Sequence, residues 1–299
     1  MSTITMGSKF PAELAREMFS KVKGHSSLAK MSAEEPIAFA GTDVFVFNFD
    51  GSVSIVGETA AKPAGGATVS PVQIRPVKVV YQSRISDEFK YAAEEKQIDY
   101  LRKFAEGFSK KIAAGLDVMA MHGVNPATGS SSAIIGSNNF DAMISTTKTI
   151  ILEHDSTKID ANIEEAVTAL EADEYAVNGI VLSPAARQKM AAVATQSGER
   201  VYPDFAFGAT PATLGGATLD VNATVSANSN LDRVILGDFD AFKWGYALDM
   251  PLEVIEYGNP DGGTYDLKQA NEVLIRSEAF IGWGILDADA FARVKAAGV

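Results

Sequence analysis

The feature that most constrains the fold is a long helical pattern between residues 87 and 121. Apolar side chains recur at spacings of three and four, which places them in one stripe: Leu101, Phe104, Phe108, Ile112, Leu116 and Met119. Ser86 is a good N-cap before the pattern, and Gly123 ends it. Such a helix would be roughly 50 Å long at ~1.5 Å per residue, which exceeds most compact cores. The pattern therefore predicts a spine helix across a flat, elongated subunit.

The single stripe also assigns an inner and an outer face to the spine helix. We expect Leu101 and Phe104 to be buried, and Lys103 and Lys110 to be exposed or to lie at a subunit interface. Asp99 precedes Lys103 by four residues, in the order that favours an ion pair along a helix surface. These expectations test whether the stripe is placed correctly.

A stretch without large apolar side chains, from Gly57 to Thr68, lies between two segments of alternating hydrophobicity. Residues 44–56 predict a hairpin, because three phenylalanines alternate up to Asp50-Gly51, a favoured two-residue turn, after which Val53 and Ile55 resume the alternation. Beyond the bare stretch the alternation restarts and shifts its phase at Pro76, which predicts an edge strand or a bulge. The bare stretch is thus a finger held out between strands.

The remaining chain divides into an N-terminal arm and an α/β region. Residues 1–41 predict a loosely structured arm with one short amphipathic helix at 11–23. After residue 160 the pattern predicts two helices, one at 161–172 and one capped by Ser183. Five strands are predicted there, at 179–182, 218–225, 233–237, 251–257 and 271–286. The mixture indicates an α+β protein.

Composition narrows the possible partners. The chain has 299 residues, of which 46% are apolar, so it can bury a sizeable core. Its formal charge is −12 and its basic residues do not cluster, which disfavours direct binding of nucleic acid. The start resembles no signal peptide, and no apolar run could span a bilayer. We therefore expect a soluble protein, made inside the cell, without a membrane partner.

Known catalytic, cofactor and metal patterns are missing from the sequence. There is no cysteine, phosphate-binding loop or nucleophile elbow. The histidines His25, His122 and His154 stand in unrelated contexts, and Glu153-His154-Asp155 is read as a solvated loop. Residues 261–266 are similar to a calcium loop but lack its closing glutamate, so a plain turn is expected. We assign no catalytic, cofactor-binding or metal residue, and predict that the protein is not an enzyme.

Five short motifs, in order, resemble one protein family over residues 44–299. They are VSIVGE before the finger, SRISDEFKYAA before the spine helix, GDFDAF, the R-x-E of residues 276–278, and DAFARV at 289–294. Together they resemble the major capsid proteins of tailed bacteriophages, which have the Hong Kong 97-type fold. The resemblance implies an N-terminal arm, an extended loop (E-loop), a peripheral domain carrying the spine helix, and an axial α/β domain. Their expected extents are 1–41, 42–82, 83–157 with 251–282, and 158–250 with 283–299.

The resemblance implies a structural function. Copies would assemble as hexamers and pentamers into an icosahedral shell around the double-stranded DNA of a phage, after synthesis in the host bacterial cytoplasm. Portal, scaffolding and decoration proteins are possible partners, and no cofactor is expected. The E-loop would lie over a neighbouring subunit through six finger residues: Gly57, Glu58, Lys62, Pro63, Gly65 and Gly66.

Two alternatives and one chemical question stay open. Encapsulin shells share the fold, and an α/β enzyme or binding protein that forms a small oligomer is the alternative from another class. Some relatives form an isopeptide bond between an E-loop lysine and an asparagine. Lys62, Asn271 and Glu278 are the candidates here. A spacing of seven on a straight strand would place Asn271 and Glu278 on opposite faces, so we expect no crosslink.

Overall fold

A computed structural model describes residues 25–50, 53–92, 94–152, 158–229, 231–248 and 252–296. The helices are α1 (Ser27–Met31), α2 (Glu94–His122), α3 (Phe140–Met143), α4 (Ile159–Glu171), α5 (Pro184–Ala192) and α6 (Leu267–Ala270). The predicted helix at 11–23 and the Glu153-His154-Asp155 triplet lie outside the described residues. Among the helices within them, none has an apolar stretch long enough to cross a bilayer.

Twelve strands run through the described residues. They are β1 (Thr42–Asp50), β2 (Gly66–Ile74), β3 (Val77–Ser86), β4 (Thr149–Leu152), β5 (Gly179–Leu182), β6 (Thr213–Leu214), β7 (Ala217–Val221), β8 (Asp232–Gly237), β9 (Phe242–Leu248), β10 (Leu252–Ile255), β11 (Glu272–Ile285) and β12 (Phe291–Ala296). The sequence patterns predicted β5, β8, β10 and β11 closely. They missed β9 and β12, whose buried sides interrupt a simple alternation of apolar and polar residues.

The strands form three sheets. β1 and β2 make a two-stranded hairpin. β11 pairs with β3, β9 and β10 in a four-stranded antiparallel sheet. The third sheet has the order β4-β12-β8-β5-β7-β6, and its β12–β4 and β5–β7 pairs are parallel. Mixed sheets with helices agree with the expected α+β class.

α2 is the spine helix, and it begins later than the sequence predicts. Residues Asp87–Tyr91 form a 3-10 turn instead, and Ser86 Oγ accepts a hydrogen bond from the Glu88 amide. The Asp87 amide donates to the Asn271 carbonyl across the sheet, which holds this turn against β11. The helix therefore starts at Glu94, and its 29 residues span about 43 Å.

Burial along the spine helix follows one stripe only in its first half. Leu101 and Phe108 are buried, whereas Lys103 and Lys110 are exposed as predicted. The prediction that Phe104 is buried was wrong: its ring is half-buried and lies 5.9 Å from the Tyr81 ring. From residue 112 onward nearly every side chain is buried, because α3 and the 3-10 segment at 223–229 pack around this end.

The hairpin pairs differently from the predicted one. β1 and β2 run antiparallel from Thr42 opposite Ile74 to Asp50 opposite Gly66, so residues 51–65 connect them. The predicted turn at Asp50-Gly51 and the return strand were therefore wrong, and residues 53–56 lie outside any strand. Residues 66–74 pair with β1 over nine residues. This ladder is longer than the one that the short alternating segment after Gly51 could form.

Two glycines of β11 anchor the base of the hairpin. A Cβ on Gly284 would lie 2.7 Å from Ile74 Cγ1, and one on Gly282 would lie 3.2 Å from Ile74 Cγ2. Since neither glycine has a side chain, Ile74 packs directly on the strand and is buried. The chain then changes sheets at Arg75-Pro76, where the sequence pattern shifts its phase.

Candidate assembly surface and buried polar clusters

The six predicted contact residues of the finger are all exposed. Gly57, Glu58, Lys62, Pro63, Gly65 and Gly66 lie at or near the tip of the hairpin. Apart from the chain neighbours, no described residue comes within 4 Å of an ideal Cβ on Gly57 or Gly65. The Ala60 amide donates to the Gly57 carbonyl, a turn within the tip itself. At these glycines the tip thus makes no packing contact with the residues of its own subunit that the structure describes.

The stem of the hairpin exposes a stripe of apolar side chains. Phe45 is 63% exposed and Phe47 is 59% exposed. Across the ladder they face Pro71 and Val69, which are also exposed, so the four side chains share one face. We call these four residues the hairpin stripe. Sequence reasoning placed the contact residues at the tip and missed the stripe, although the alternating phenylalanines were its signal.

A buried carboxylate, Asp117, anchors the N-terminal segment to the spine helix. Its side chain is fully buried and accepts hydrogen bonds from Ser26 Oγ at 2.5 Å and from the amides of Ser27 and Leu28 at 3.0 and 3.2 Å. Ser26 also caps α1, so the carboxylate receives the first amides of that helix.

Two further donors complete the Asp117 site. Asn222 Nδ2 and Thr224 Oγ1 donate to the same carboxylate at 3.1 and 3.0 Å. Burial raises the pKa of Asp117 to about 6, although the hydrogen bonds from Ser26 and the α1 amides oppose that rise. The carboxylate is therefore mostly ionised at neutral pH, where its five donors compensate for lost hydration.

A second buried cluster joins four elements at the end of the spine helix. His122 Nδ1 lies 3.0 Å from an Asp141 carboxylate oxygen, and Arg293 Nη1 lies 2.5 Å from the other. Asp232, on β8, lies 3.6 Å from Arg293 and 3.9 Å from His122. His122 Nε2 lies 2.9 Å from the Thr224 carbonyl oxygen. We call His122, Asp141, Asp232 and Arg293 the spine-end cluster.

Proton positions in the spine-end cluster follow from its geometry. Both ring nitrogens of His122 face oxygen acceptors, so the imidazolium satisfies both; although burial opposes it, the bond to Asp141 raises the pKa of His122. Burial, and then the hydrogen bond with Asp141, raises the pKa of Asp232 to about 7. Although burial opposes it, hydrogen bonds from His122 and Asp232 lower the pKa of Asp141 to about 2. His122 and Asp232 therefore hold their protons more tightly than isolated side chains would, and Asp141 holds its proton less tightly.

The spine-end cluster fits a structural role better than a chemical one. His122, Asp141 and Asp232 could each offer a ligand atom within 4.8 Å of the others. The Arg293 guanidinium already contacts these carboxylates, so a metal ion would meet a second positive charge there. His122 and Asp232 are also closed to solvent. Sequence reasoning missed the cluster because its members are far apart in the chain and meet only where α2 and α3 pack against β8 and β12.

The turn at residues 261–266 binds an arginine of its own chain. Arg84 Nε donates to Asp261 at 2.7 Å, and Arg84 Nη2 donates to Asn259 Oδ1 at 2.7 Å. The Arg84 hydrogen bond lowers the pKa of Asp261 to about 2. Arg84 also pairs with Glu272 at the start of β11. The expected plain turn is thus held to the sheet by Arg84.

The three isopeptide candidates occupy separate local environments. Lys62 is exposed at the tip of the hairpin. Asn271 caps α6 in a left-handed conformation just before β11, so the argument from a straight strand does not apply to it. Glu278 pairs with Lys78 at 2.8 Å. The expectation that no crosslink forms stays a prediction.

Comparison with known proteins places these features in one family. The model of the phage capsid family matches residues 8–296. A structure from Mycobacterium phage Ogopogo is 32% identical, with a TM-score of 0.76 over 91% of this chain and 92% of the other. A structure from Gordonia phage Cozz is 26% identical, with a TM-score of 0.74 over 94% and 87%. A search of curated proteins found no match.

A more distant structure has a similar fold. The capsid of a native GTA particle, computed with C5 symmetry, is 14% identical. Its TM-score is 0.65 over 91% of this chain and 90% of the other. At that identity the likeness concerns the fold alone. It nevertheless extends over nearly the whole chain, so the two proteins share the overall fold.

Proposed function

Because the chain belongs to the phage capsid family and is a structural capsid protein, we propose that its copies form hexamers and pentamers of a closed icosahedral shell. The shell would enclose the double-stranded DNA genome of a tailed phage, and the chain would be made in the cytoplasm of the host bacterium. Portal, scaffolding and decoration proteins are its proposed partners. The formal charge of −12 supports a shell whose subunits do not bind DNA directly, because both are negatively charged.

We assign the parts of the subunit to this assembly as follows. Residues 1–41 form the arm, and residues 42–82 form the E-loop. Residues 83–157 and 251–282 form the peripheral domain, which carries the spine helix. Residues 158–250 and 283–299 form the axial domain, which meets its copies around the symmetry axes. The separate four-stranded and six-stranded sheets support two bodies. Two strands cross these extents, because β9 pairs with β11 in the four-stranded sheet and β4 pairs with β12 in the six-stranded sheet.

The hairpin stripe is the observation that carries the proposal. Phe45 and Phe47 project from a paired hairpin into solvent, although burial of each ring would be worth ~1.5–3 kcal/mol. Exposed apolar surface of this kind marks an interaction site. A neighbouring subunit that covers the stripe would also offset the entropic cost of ordering the finger. The six predicted tip residues would then extend the same contact.

Truncation of the hairpin tests the proposal. Because Asp50 lies opposite Gly66, residues 51–65 can be replaced by Asn-Gly, which closes the ladder with a two-residue turn. We expect the subunit to fold with unchanged stability and to form few or no closed shells, as seen by sedimentation and electron microscopy.

A length-matched control completes this experiment. Replacing residues 51–65 with a Gly/Ser linker of the same length keeps the reach of the finger and removes its chemistry. Normal shells from the Asn-Gly variant would contradict the E-loop assignment. Shells filled with a protein cargo in place of DNA would favour an encapsulin, and a small compact oligomer without shells would favour an enzyme or binding protein.

A further inference from the structure

One aromatic side chain of the α/β region is held entirely in solvent. Phe207 is 100% exposed, while Phe205, two residues earlier, is buried. The backbone of Phe207 is left-handed, with φ of 56° and ψ of 27°, which is rare for a bulky residue. The outward position of the Phe207 ring therefore points to a contact with another molecule.

An arginine accompanies the exposed ring. The Arg200 guanidinium lies 5.3 Å from the centroid of the Phe207 ring, within the range of a cation–π contact. Arg200 is itself exposed, on the short bridged loop that pairs it with Ala194. We call Phe207 and Arg200 together the Phe207 knob. It presents an apolar face and a positive charge side by side.

The same α/β region has a cleft whose lining is apolar and acidic, which complements the ring and the positive charge of the knob. The cleft has a volume of about 450 Å³, within the range of ligand-binding clefts, and lies between α4 and the β6–β7 turn. Val167 and Leu214 contribute apolar surface to it. Asp160, Glu164 and Glu171 also line it, with no lysine or arginine among its described lining residues.

The cleft is negative as well as apolar. Tyr202 lines it, and burial, followed by the charges of Asp160 and Glu164, raises the pKa of Tyr202. A phenol hydroxyl in this position feels both a low local polarity and two carboxylates. The cleft therefore suits an apolar ring accompanied by a cation, which is the combination that the Phe207 knob presents.

We propose that the Phe207 knob of one subunit binds in the acidic cleft of the next copy of this chain. The ring would cover Val167 and Leu214, and Arg200 would pair with the carboxylates at the rim, Glu164 among them. The proposed contact is head-to-tail, with the knob of each subunit in the cleft of the next, so that it can repeat around a closed ring. The inference rests on the proposed shell function, which it deepens by assigning a contact between neighbouring subunits.

The charge of the chain favours a second copy as the occupant. Subunits of charge −12 repel one another, and a basic group set against an acidic cleft offsets part of that repulsion where they meet. The full exposure of Phe207 shows that its own cleft does not hold it. Binding of a small aromatic cation or of a different protein in the cleft is the competing outcome.

Cysteine crosslinking tests the contact directly, because the chain has no cysteine of its own. Phe207→Cys and Val167→Cys are prepared separately, mixed, assembled into shells and oxidised. We expect disulfide-linked dimers from the mixture and none from either variant alone. A double variant should yield a ladder of linked subunits. Phe207→Cys mixed with Ile134→Cys, an exposed position on another loop, is the matched control and should stay monomeric.

The outcomes separate the two proposals. Shells that form from the mixed variants without crosslinked dimers would overturn the knob-and-cleft contact and leave the shell function standing. Failure of the unmodified chain to form shells would contradict the shell function itself. If the cysteine variants assemble too poorly to be crosslinked, charge-reversal variants test the contact instead. Arg200→Glu should raise the concentration needed for assembly roughly two- to fivefold, and adding Glu164→Arg should restore it. No restoration would overturn the contact.

Discussion

The hairpin stripe and the buried end of the spine helix differ in where their side chains find partners. On the stripe, Phe45 and Phe47 face solvent, although burial of apolar rings lowers the free energy of a folded protein. At the spine end, Asp117 and Asp232 are fully buried, although removing a carboxylate from water costs free energy. Each region contradicts the simple rule that apolar groups lie inside and charges outside.

The difference indicates which contacts fold the subunit and which assemble the shell. Asp117 receives five donors from its own chain, so its burial is compensated before any neighbour arrives. Phe45 and Phe47 of the hairpin stripe, in contrast, stay more than half exposed against the part of the subunit that the structure describes. Stability of the single chain should therefore depend on the spine end, and shell formation on the stripe.

Asp117→Ala should have the largest effect on folding. It leaves two amides and three side-chain donors without their acceptor, so we expect a loss of about 3–5 kcal/mol in the free energy of unfolding. Urea unfolding measures it, and proteolysis near residue 30 should accelerate because α1 detaches. Asp99→Ala, at an exposed site on the same helix, is the control and should change stability by less than ~0.5 kcal/mol. Equal stability of the two variants would contradict the anchoring role.

Protonation of the spine-end cluster should give a smaller effect with a defined sign. The pKa of Asp232 is raised in the folded chain to about 7, so its contribution is present at low pH and is lost as pH rises from about 4 to 7. The pKa of His122 is also raised, so its contribution to stability is lost as pH rises above 6.5. The raised pKa of Asp117 likewise lowers stability as pH rises from about 4 to about 6. Asp141, with a lowered pKa, acts oppositely only as pH falls below about 4. Subunit stability should thus decline between pH 5 and 8.

Asp232→Asn isolates one part of that decline. The amide resembles the protonated carboxyl that the cluster favours, so the variant should lose less stability between pH 5 and 8, by on the order of 1–3 kcal/mol. Unfolding midpoints in urea at four pH values measure it, and the decline that remains belongs to His122 and Asp117. A variant with the same pH profile as the unmodified chain would show that Asp232 does not bind the proton.

Local patterns predicted the elements that depend on neighbours in sequence. Ser183 caps α5 with Pro184 at its first position, as the sequence indicated. The long strand β11 was also predicted. At Pro76 the sequence predicted an edge strand or a bulge, and the structure shows that the chain passes there from one sheet to another. These features depend on backbone preferences and periodic burial within a few residues, which a sequence shows directly.

Long-range pairing limited the rest of the prediction. The partner of β1 lies beyond a connection of fifteen residues, so the nearer Asp50-Gly51 turn was chosen wrongly. The members of the spine-end cluster come from two helices and from two neighbouring strands of the six-stranded sheet, which are far apart in the chain. Asp117 has no signal except its polarity on a buried helix. Val72 and Ile74 reach β11 because Gly282 and Gly284 lack side chains, which only the folded chain reveals.

Substitution of the hairpin stripe tests the central claim, that this face stabilises the shell and not the subunit. Phe45→Thr with Phe47→Thr removes the rings and keeps residues that favour strands. Ile74→Ala, on the buried face of the same hairpin, is the matched control and should cost about 2–5 kcal/mol of subunit stability.

The decisive measurement pairs urea unfolding of the dissociated subunit with the yield of closed shells for the double threonine variant. We predict a change in unfolding free energy below ~1 kcal/mol and a loss of most shells. A subunit destabilised by several kcal/mol, or shells formed at the yield of the unmodified chain, would contradict the claim.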